Sequence, residues 1–274
     1  MKKITAMLIT IAGLLVTGMA RAESTTLASQ TGSDIGLSLS SYRYREPDFM
    51  SLTGAKLGLD LRTTKAFQNQ LFVRGDLRYA FGYVDYSGTG SLSGLPDWYI
   101  EARGLVGKDW TLGDAVVSPY IGLGYRYLFN DGRGISCTGS TCYFGYRRES
   151  NYLYLPIGAT HRIALNDRAR LVTELEYDHL LSGKQVSMLS DGGVGYADLT
   201  NSQSSGYGLK LSVMYEKDKW GVGPYMHYWN IGQSDWVPLY RNGTPVLDPN
   251  GNPLGGVEPQ NNTVEFGVMA RQQF

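Results

Sequence analysis

Residues 72–86 read FVRGDLRYAFGYVDY, and the alternation within this stretch decides the fold. Val73, Leu77, Tyr79, Phe81 and Tyr83 fall on one parity, while Arg74, Asp76 and Arg78 fall on the other. A period of two marks a strand, because successive side chains leave opposite faces of the pleated backbone. Wound as a helix, the same charges would be scattered around the axis. The pattern recurs in LYLPIGATHR (153–162), where Leu153, Leu155, Ile157 and Ala159 share a face. In LVTELEYDHLL (171–181), Leu171, Leu175, Tyr177 and Leu181 oppose Glu174, Glu176 and Asp178.

Ten such segments are expected, at about 35–45, 51–63, 70–86, 97–110, 115–129, 150–165, 169–185, 205–217, 220–233 and 263–274. The connections after even-numbered segments are short: KAFQNQ, LGDAV, NDR and KDK. Those after the odd ones are mostly longer, including 130–150, 188–204 and 232–262. Short turns at one end, long loops at the other and an even strand count describe a transmembrane barrel. The expected fold is all-β: a closed antiparallel up-and-down barrel of about ten strands.

A soluble barrel would also alternate, with its apolar face inward, whereas a membrane barrel inverts the arrangement. The apolar face carries aromatics toward its two ends. Tyr79, Phe81, Tyr83, Tyr125, Tyr127 and Phe129 lie toward the long loops, and Trp110, Tyr215, Trp220 and Phe274 toward the short turns. Two aromatic girdles have this form. The other face mixes Gly54, Gly58, Gly122, Gly124, Gly158, Gly208 and Gly267 with charges of both signs. From that face a lumen ion network of Arg74, Asp76, Arg78, Glu101, Arg103, Glu174 and Glu176 is expected, filling the interior instead of leaving a wide channel. Arg43, Asp85 and His179 sit on the apolar face only near strand ends, where a lipid-facing charge costs about 0–1 kcal/mol and not the ~2–4 of mid-depth.

The first 22 residues read as a signal peptide. Lys2 and Lys3 precede an apolar run, ITAMLITIAGLLVTG (4–18), and Ala20-Arg21-Ala22 supplies the small residues of a cleavage site. Residues 23–34 are then a short periplasmic segment and 35–274 the barrel. Removing Lys2, Lys3 and Arg21 from 25 basic residues leaves 22 against 25 acidic ones, a net of −3 that gives no reason to expect nucleic acid as a partner. No later stretch reaches the ~20 apolar residues of a membrane helix. Cys137 and Cys142 read as a disulfide in a secreted chain, and a catalytic or metal-binding pair is the alternative.

The last segment, TVEFGVMARQQF (263–274), alternates and ends on Phe274. It resembles the terminal strand of bacterial outer-membrane proteins, although Gln272 and Gln273 are more polar than the usual pattern. The mature chain as a whole resembles the broad superfamily of small outer-membrane β-barrels, which includes opacity-type and porin-like proteins. That resemblance implies residence in the outer membrane and contact with its lipid and lipopolysaccharide. It also implies recognition of Phe274 by the barrel-assembly machinery, and it carries over no catalytic residues.

No catalytic, cofactor or metal residues are assigned. His161 and His179 point outward and only His227 inward. Tyr177-Asp178-His179 invites comparison with the omptin-type proteases, but adjacent strand residues face opposite sides and cannot pair directly. Ser212 and His227 could meet on neighbouring strands, as a lipid deacylase would need. Asp248-Pro-Asn250-Gly-Asn252 lacks the glycine of a calcium loop, Pro253 standing in its place. Function is expected in the loops, where Tyr146, Arg147, Arg148, Trp236 and Tyr240 are the recognition candidates for a surface ligand. The expected role is structural or adhesion-like. A narrow solute channel is the first alternative and a loop-end hydrolase the second.

Overall fold

The computed structural model describes residues 26–193 and 195–274, so the expected signal peptide and its cleavage site lie outside the described residues. Ten long strands follow one another: β1 (Gly32–Glu46), β2 (Met50–Ala66), β3 (Leu71–Gly88), β4 (Gly90–Lys108) and β5 (Ala115–Asp131) form the first half. β6 (Arg147–Asn166), β7 (Ala169–Ser187), β8 (Gly206–Lys217), β9 (Trp220–Ile231) and β10 (Asn261–Gln273) form the second. Each pairs antiparallel with the next, and β10 returns to β1, with Leu39 opposite Val268, to close the barrel. Closure removes both sheet edges, so every strand satisfies its backbone without water, as lipid demands.

The faces are inverted relative to a soluble protein. Leu39, Leu57 and Leu175 are about as exposed as any residue on the barrel, near 60%. Lys56, Arg126, Glu176 and Glu265 are each 1% exposed inside it. Only a surround of lipid makes such an arrangement favourable, since it keeps the outward apolar surface out of water while these four charges find partners of opposite sign inside.

Lumen glycines have a steric cause. Gly124 lies directly across from Tyr154, and a Cβ there would come 2.2 Å from the ring. Gly158 lies across from Tyr120, whose hydroxyl would meet a Cβ at 2.5 Å. The same pairing sets Gly54 against Tyr42, Gly208 against Trp229 and Gly267 against Tyr225. At all of these but Gly54 the absent side chain makes room for a ring over the neighbouring strand; at Gly54 a Cβ would instead come 2.1 Å from the Tyr83 carbonyl oxygen.

The long-loop end differs in detail from the sequence reading. β1–β2 is joined by residues 47–49 and β3–β4 by Thr89 alone, so two of the five connections there are tight turns. β4 begins at Gly90, seven residues before the expected start, because Gly94 and Pro96 give a strand the look of a loop. Gly94 takes φ +71°, and its N–H donates to Asp85 Oδ1 at 2.9 Å, holding the irregular pairing in place.

Candidate functional site in the lumen and at the loop rim

Cross-strand register writes the lumen chemistry. Asp34, Arg62, Asp76 and Arg103 stand side by side on β1 to β4, and one row higher Asp60, Arg78, Glu101 and Arg126 stand on β2 to β5. Signs alternate along both rows. Directly opposite residues lie within about 5 Å, so each neighbour is a counter-ion. On the far wall Glu176, Lys210, His227 and Glu265 form a third row.

The rows then interlock across the interior. Glu174 accepts from Arg74 at 2.8 Å, Arg62 at 3.3 Å, Arg103 at 3.4 Å and the Tyr120 hydroxyl at 3.0 Å. Arg103 also pairs with Glu176 and with Asp76, the latter at 2.8 Å. Lys210 reaches Glu101 at 2.5 Å and Asp178 at 3.3 Å. Glu265 accepts from Arg78 and from the hydroxyls of Tyr99 and Tyr225, each at 2.7 Å. The seven residues Arg74, Asp76, Arg78, Glu101, Arg103, Glu174 and Glu176 thus all lie in this mesh, which further includes Asp60, Arg62, Arg126, Lys210 and Glu265.

Sequence reasoning missed the lumen tyrosines. Tyr42, Tyr44, Tyr99, Tyr120, Tyr152, Tyr154 and Tyr225 are buried among the charges, and the Arg126 guanidinium lies 4.2 Å from the Tyr99 ring centre. Their parity was a usable signal: Tyr42 and Tyr44 share a face with Ser38 and Ser40. Outside, Trp98 packs against Tyr79, Tyr127 and Phe129 with ring centres 5.4–6.0 Å apart, and Tyr177, Tyr207 and Tyr228 continue the belt. Tyr83 is exposed at the long-loop side, and Trp110, Trp220 and Phe274 are exposed at the other end. The Phe274 N–H donates to the Ser33 carbonyl at 2.8 Å, fastening the terminus to β1.

At the rim, one recognition candidate needs correcting. Arg148 lies within β6 opposite Asn130, and its guanidinium points into the lumen mouth, not outward. There it pairs with Glu46 at 2.6 Å and with Glu258 from the last long loop. The sequence placed it in a loop because β5 and β6 run on past their expected ends at 129 and 150. Tyr146 is half-buried, while Trp236 and Tyr240 are exposed.

Arg147 donates to Asp191 through Nη2 at 2.7 Å, Nε at 2.8 Å and its backbone N–H at 3.1 Å. These hydrogen bonds hold the Asp191 carboxyl down at about 2, below its ordinary 3.8. A carboxyl depressed in the folded state stabilises above its ordinary pKa, and the contribution disappears as pH falls through the folded value. The protection factors of the amides at residues 188–193, the intrinsic exchange rate at each pH divided by the observed one, are therefore expected to hold steady between about pH 5 and 8 and to fall only between about pH 4 and 2. Release near neutral pH would show that Asp191 is not the latch.

The crown above the belt is built, not loose. Ile135–Thr138 and Thr141–Phe144 form a hairpin with Cys137 directly opposite Cys142, and the two form a disulfide. Leu199–Gln203 adds a strand to the upper part of β7. Within 232–260, Val237–Pro238 pairs with Gly255–Gly256 and Tyr240–Arg241 with Thr244–Pro245.

Asp178 faces the lumen and His179 the outside, as adjacent strand residues must. Ser212 and His227 line one interior cavity of about 80 Å³, but no hydrogen bond joins them among the described residues.

No protein-family model matches the chain, and no curated protein matches it. Solved structures do. The outer membrane protease OmpT from Escherichia coli aligns over 89% of this chain and 97% of its own, with a TM-score of 0.53 at 11% identity. The transport unit of the autotransporter AIDA-I from Escherichia coli aligns over 98% and 97%, at 0.40 and 9%. Ail, the attachment invasion locus protein of Yersinia pestis, aligns over 90% and 100%, at 0.30 and 8%. The inverted faces and the likeness in fold to OmpT define the class: a closed ten-stranded antiparallel β-barrel of the kind found in bacterial outer membranes.

Proposed function

We propose that this barrel is a closed platform that presents a structured crown for surface recognition, in the manner of an adhesin. The observation that carries the reading is the contrast between its two ends. About 9–11 residues suffice for a strand to cross the membrane. β3, β4, β6 and β7 have 18, 19, 20 and 19 residues, and β7 runs on from the belt at Tyr177 to Ser187. Strands this long lift the disulfide hairpin well clear of the lipid, and the 232–260 loop, which leaves shorter strands, packs against the raised 199–203 strand through the Asp235 N–H, which donates to the Ser202 carbonyl at 3.3 Å.

The crown carries exposed apolar side chains of the kind that anchor protein contacts: Phe144, Trp236, Tyr240, Leu247 and Leu254. Meanwhile the lumen is crossed by ion pairs and tyrosines at several levels, and residues 28–30 lie over its short-turn mouth. A filled interior supports a non-conducting role.

Two measurements test the reading. In planar bilayers the refolded barrel is expected to show no steady openings. Bacteria displaying it are expected to lose adherence to cultured cells when residues 233–257 are replaced by a short turn and the barrel still folds. Steady openings abolished by lumen substitutions would instead favour a narrow channel. Hydrolysis of peptides or lipid A by the purified barrel would favour an enzyme.

A further inference from the structure

We propose that the short-turn mouth of the lumen contains a binding site for a small oxyanion, phosphate or sulfate, formed by Arg271, Arg162 and Thr160. In the two charged rows described above, every guanidinium lies directly opposite a carboxylate. Arg271 and Arg162 break that rule. Arg271 stands between Gly36 and Gly221, and Arg162 between Val116 and Val172. Among the described residues Arg271 enters no ion pair, and its Nη2 donates to the Met269 sulfur at 3.4 Å. Arg162 has Asp109 Oδ1 at 3.8 Å, a long contact, and its Nη1 donates to Ser118 Oγ at 2.7 Å, so it is only loosely neutralised.

Both arginines line one cavity of about 60 Å³ between residues 28–30 and the ion network. Its wall holds five guanidinium groups (Arg62, Arg74, Arg162, Arg170 and Arg271) against two carboxylates, Asp34 and Glu216. Arg62 and Arg74 are engaged by Asp76 and Glu174, and Arg170 by Glu216 at 2.7 Å. The guanidinium left without an ion pair is therefore Arg271, with Arg162 held only by its long contact to Asp109. Thr160 lines the same space, is 1% exposed, and its hydroxyl has no hydrogen-bond partner among the described residues. A buried hydroxyl is costly without a partner, and in a cavity shared with the unpaired Arg271 and the loosely paired Arg162 the missing partner is an acceptor.

Size and chemistry narrow the class. By the same measure of volume, roughly 10–15 Å³ holds one water, so this cavity admits an ion of a few heavy atoms and not a lipid headgroup with its glycerol. Guanidinium forks from β6 and β10, with a hydroxyl lining the same space, suit an anion with several oxygens. Asp34 opposes the anion from the same wall, so its charge weakens the site without abolishing it.

Calorimetric titration of the refolded barrel with inorganic phosphate and with sulfate tests the assignment. Saturable binding is expected, with a Kd of about 1 mM or tighter. It should weaken at least tenfold in Arg271→Gln, weaken in Thr160→Val and tighten in Asp34→Asn. Arg168→Gln, in the exposed β6–β7 turn, should change nothing. Heat-modifiable gel mobility confirms that each variant is folded, and the uncharged Thr160→Val decides if Arg271→Gln is not. Three results would overturn the proposal: no saturable binding by the parent barrel, equal binding by the parent and both Arg271→Gln and Thr160→Val, or binding seen only in nanodiscs containing phosphatidylglycerol.

Discussion

Replacing Glu174 by alanine is expected to remove about 3–5 kcal/mol of stability, the loss that follows when one member of a buried ion cluster is deleted. Glu174 is the acceptor on which Arg62, Arg74 and Arg103 converge, and its side chain is 11% exposed. Without it three guanidinium groups share Asp76 and, for Arg103, Glu176. Those surviving partners set the lower end of the range; the Tyr120 hydroxyl keeps Glu176 at 2.8 Å. Glu174→Gln keeps the shape and part of the hydrogen bonding, so it should fall between the parent and the alanine variant. Arg103→Ala removes three carboxylate contacts at once and should match Glu174→Ala. By contrast, Arg168→Ala breaks an exposed, solvent-screened pair with Asp218 and should leave the transition almost unchanged. The measurement is the temperature at which unboiled protein loses its compact electrophoretic mobility. An unchanged transition in both Glu174→Ala and Arg103→Ala would mean that the lumen mesh does not hold the barrel together.

Why the lumen could be read from sequence, and the rim could not, comes down to what parity carries. Within a strand the side chain's face follows from its position, so Arg74, Asp76 and Arg78 identify the inside of β3 once any one of them is placed. Cross-strand partners then follow from strand order, because each hairpin fixes the next register. Parity fails where the backbone does. A register shift between Leu180 and Ser182 on β7 moves the inward positions to Gly183, Gln185 and Ser187, and no residue type announces it. Arg148 was lost for a related reason, since Arg147, Arg148 and Glu149 carry no alternation and look like loop. Tyrosine was ambiguous in a different way. Its ring suits a membrane interface and its hydroxyl suits a buried carboxylate, so abundance alone does not choose between Tyr83 outside and Tyr99 inside.

The orientation of the faces makes its own demand at Leu39. This residue points outward midway along β1, beside Leu57 and Val268 on the two neighbouring strands. The next residue, Ser40, points inward and donates to Glu265 at 3.0 Å. Leu39→Arg is therefore expected to destabilise the barrel in lipid vesicles by about 2–4 kcal/mol, the cost of a guanidinium at the bilayer midplane. Ile35→Arg, on the same face but close to the short-turn end, should cost about 0–1 kcal/mol, because the longer side chain can reach the headgroups there. The pair separates membrane depth from any general intolerance of charge on β1. In a water-soluble barrel both positions would be solvated and both substitutions nearly silent. Equal, small effects at Leu39 and Ile35, measured by urea titration in vesicles, would therefore reverse the assignment of inside and outside. A large effect at Leu39 alone requires hydrocarbon at that depth, because Leu39 is 59% exposed and leaves little protein packing for a charge to disrupt.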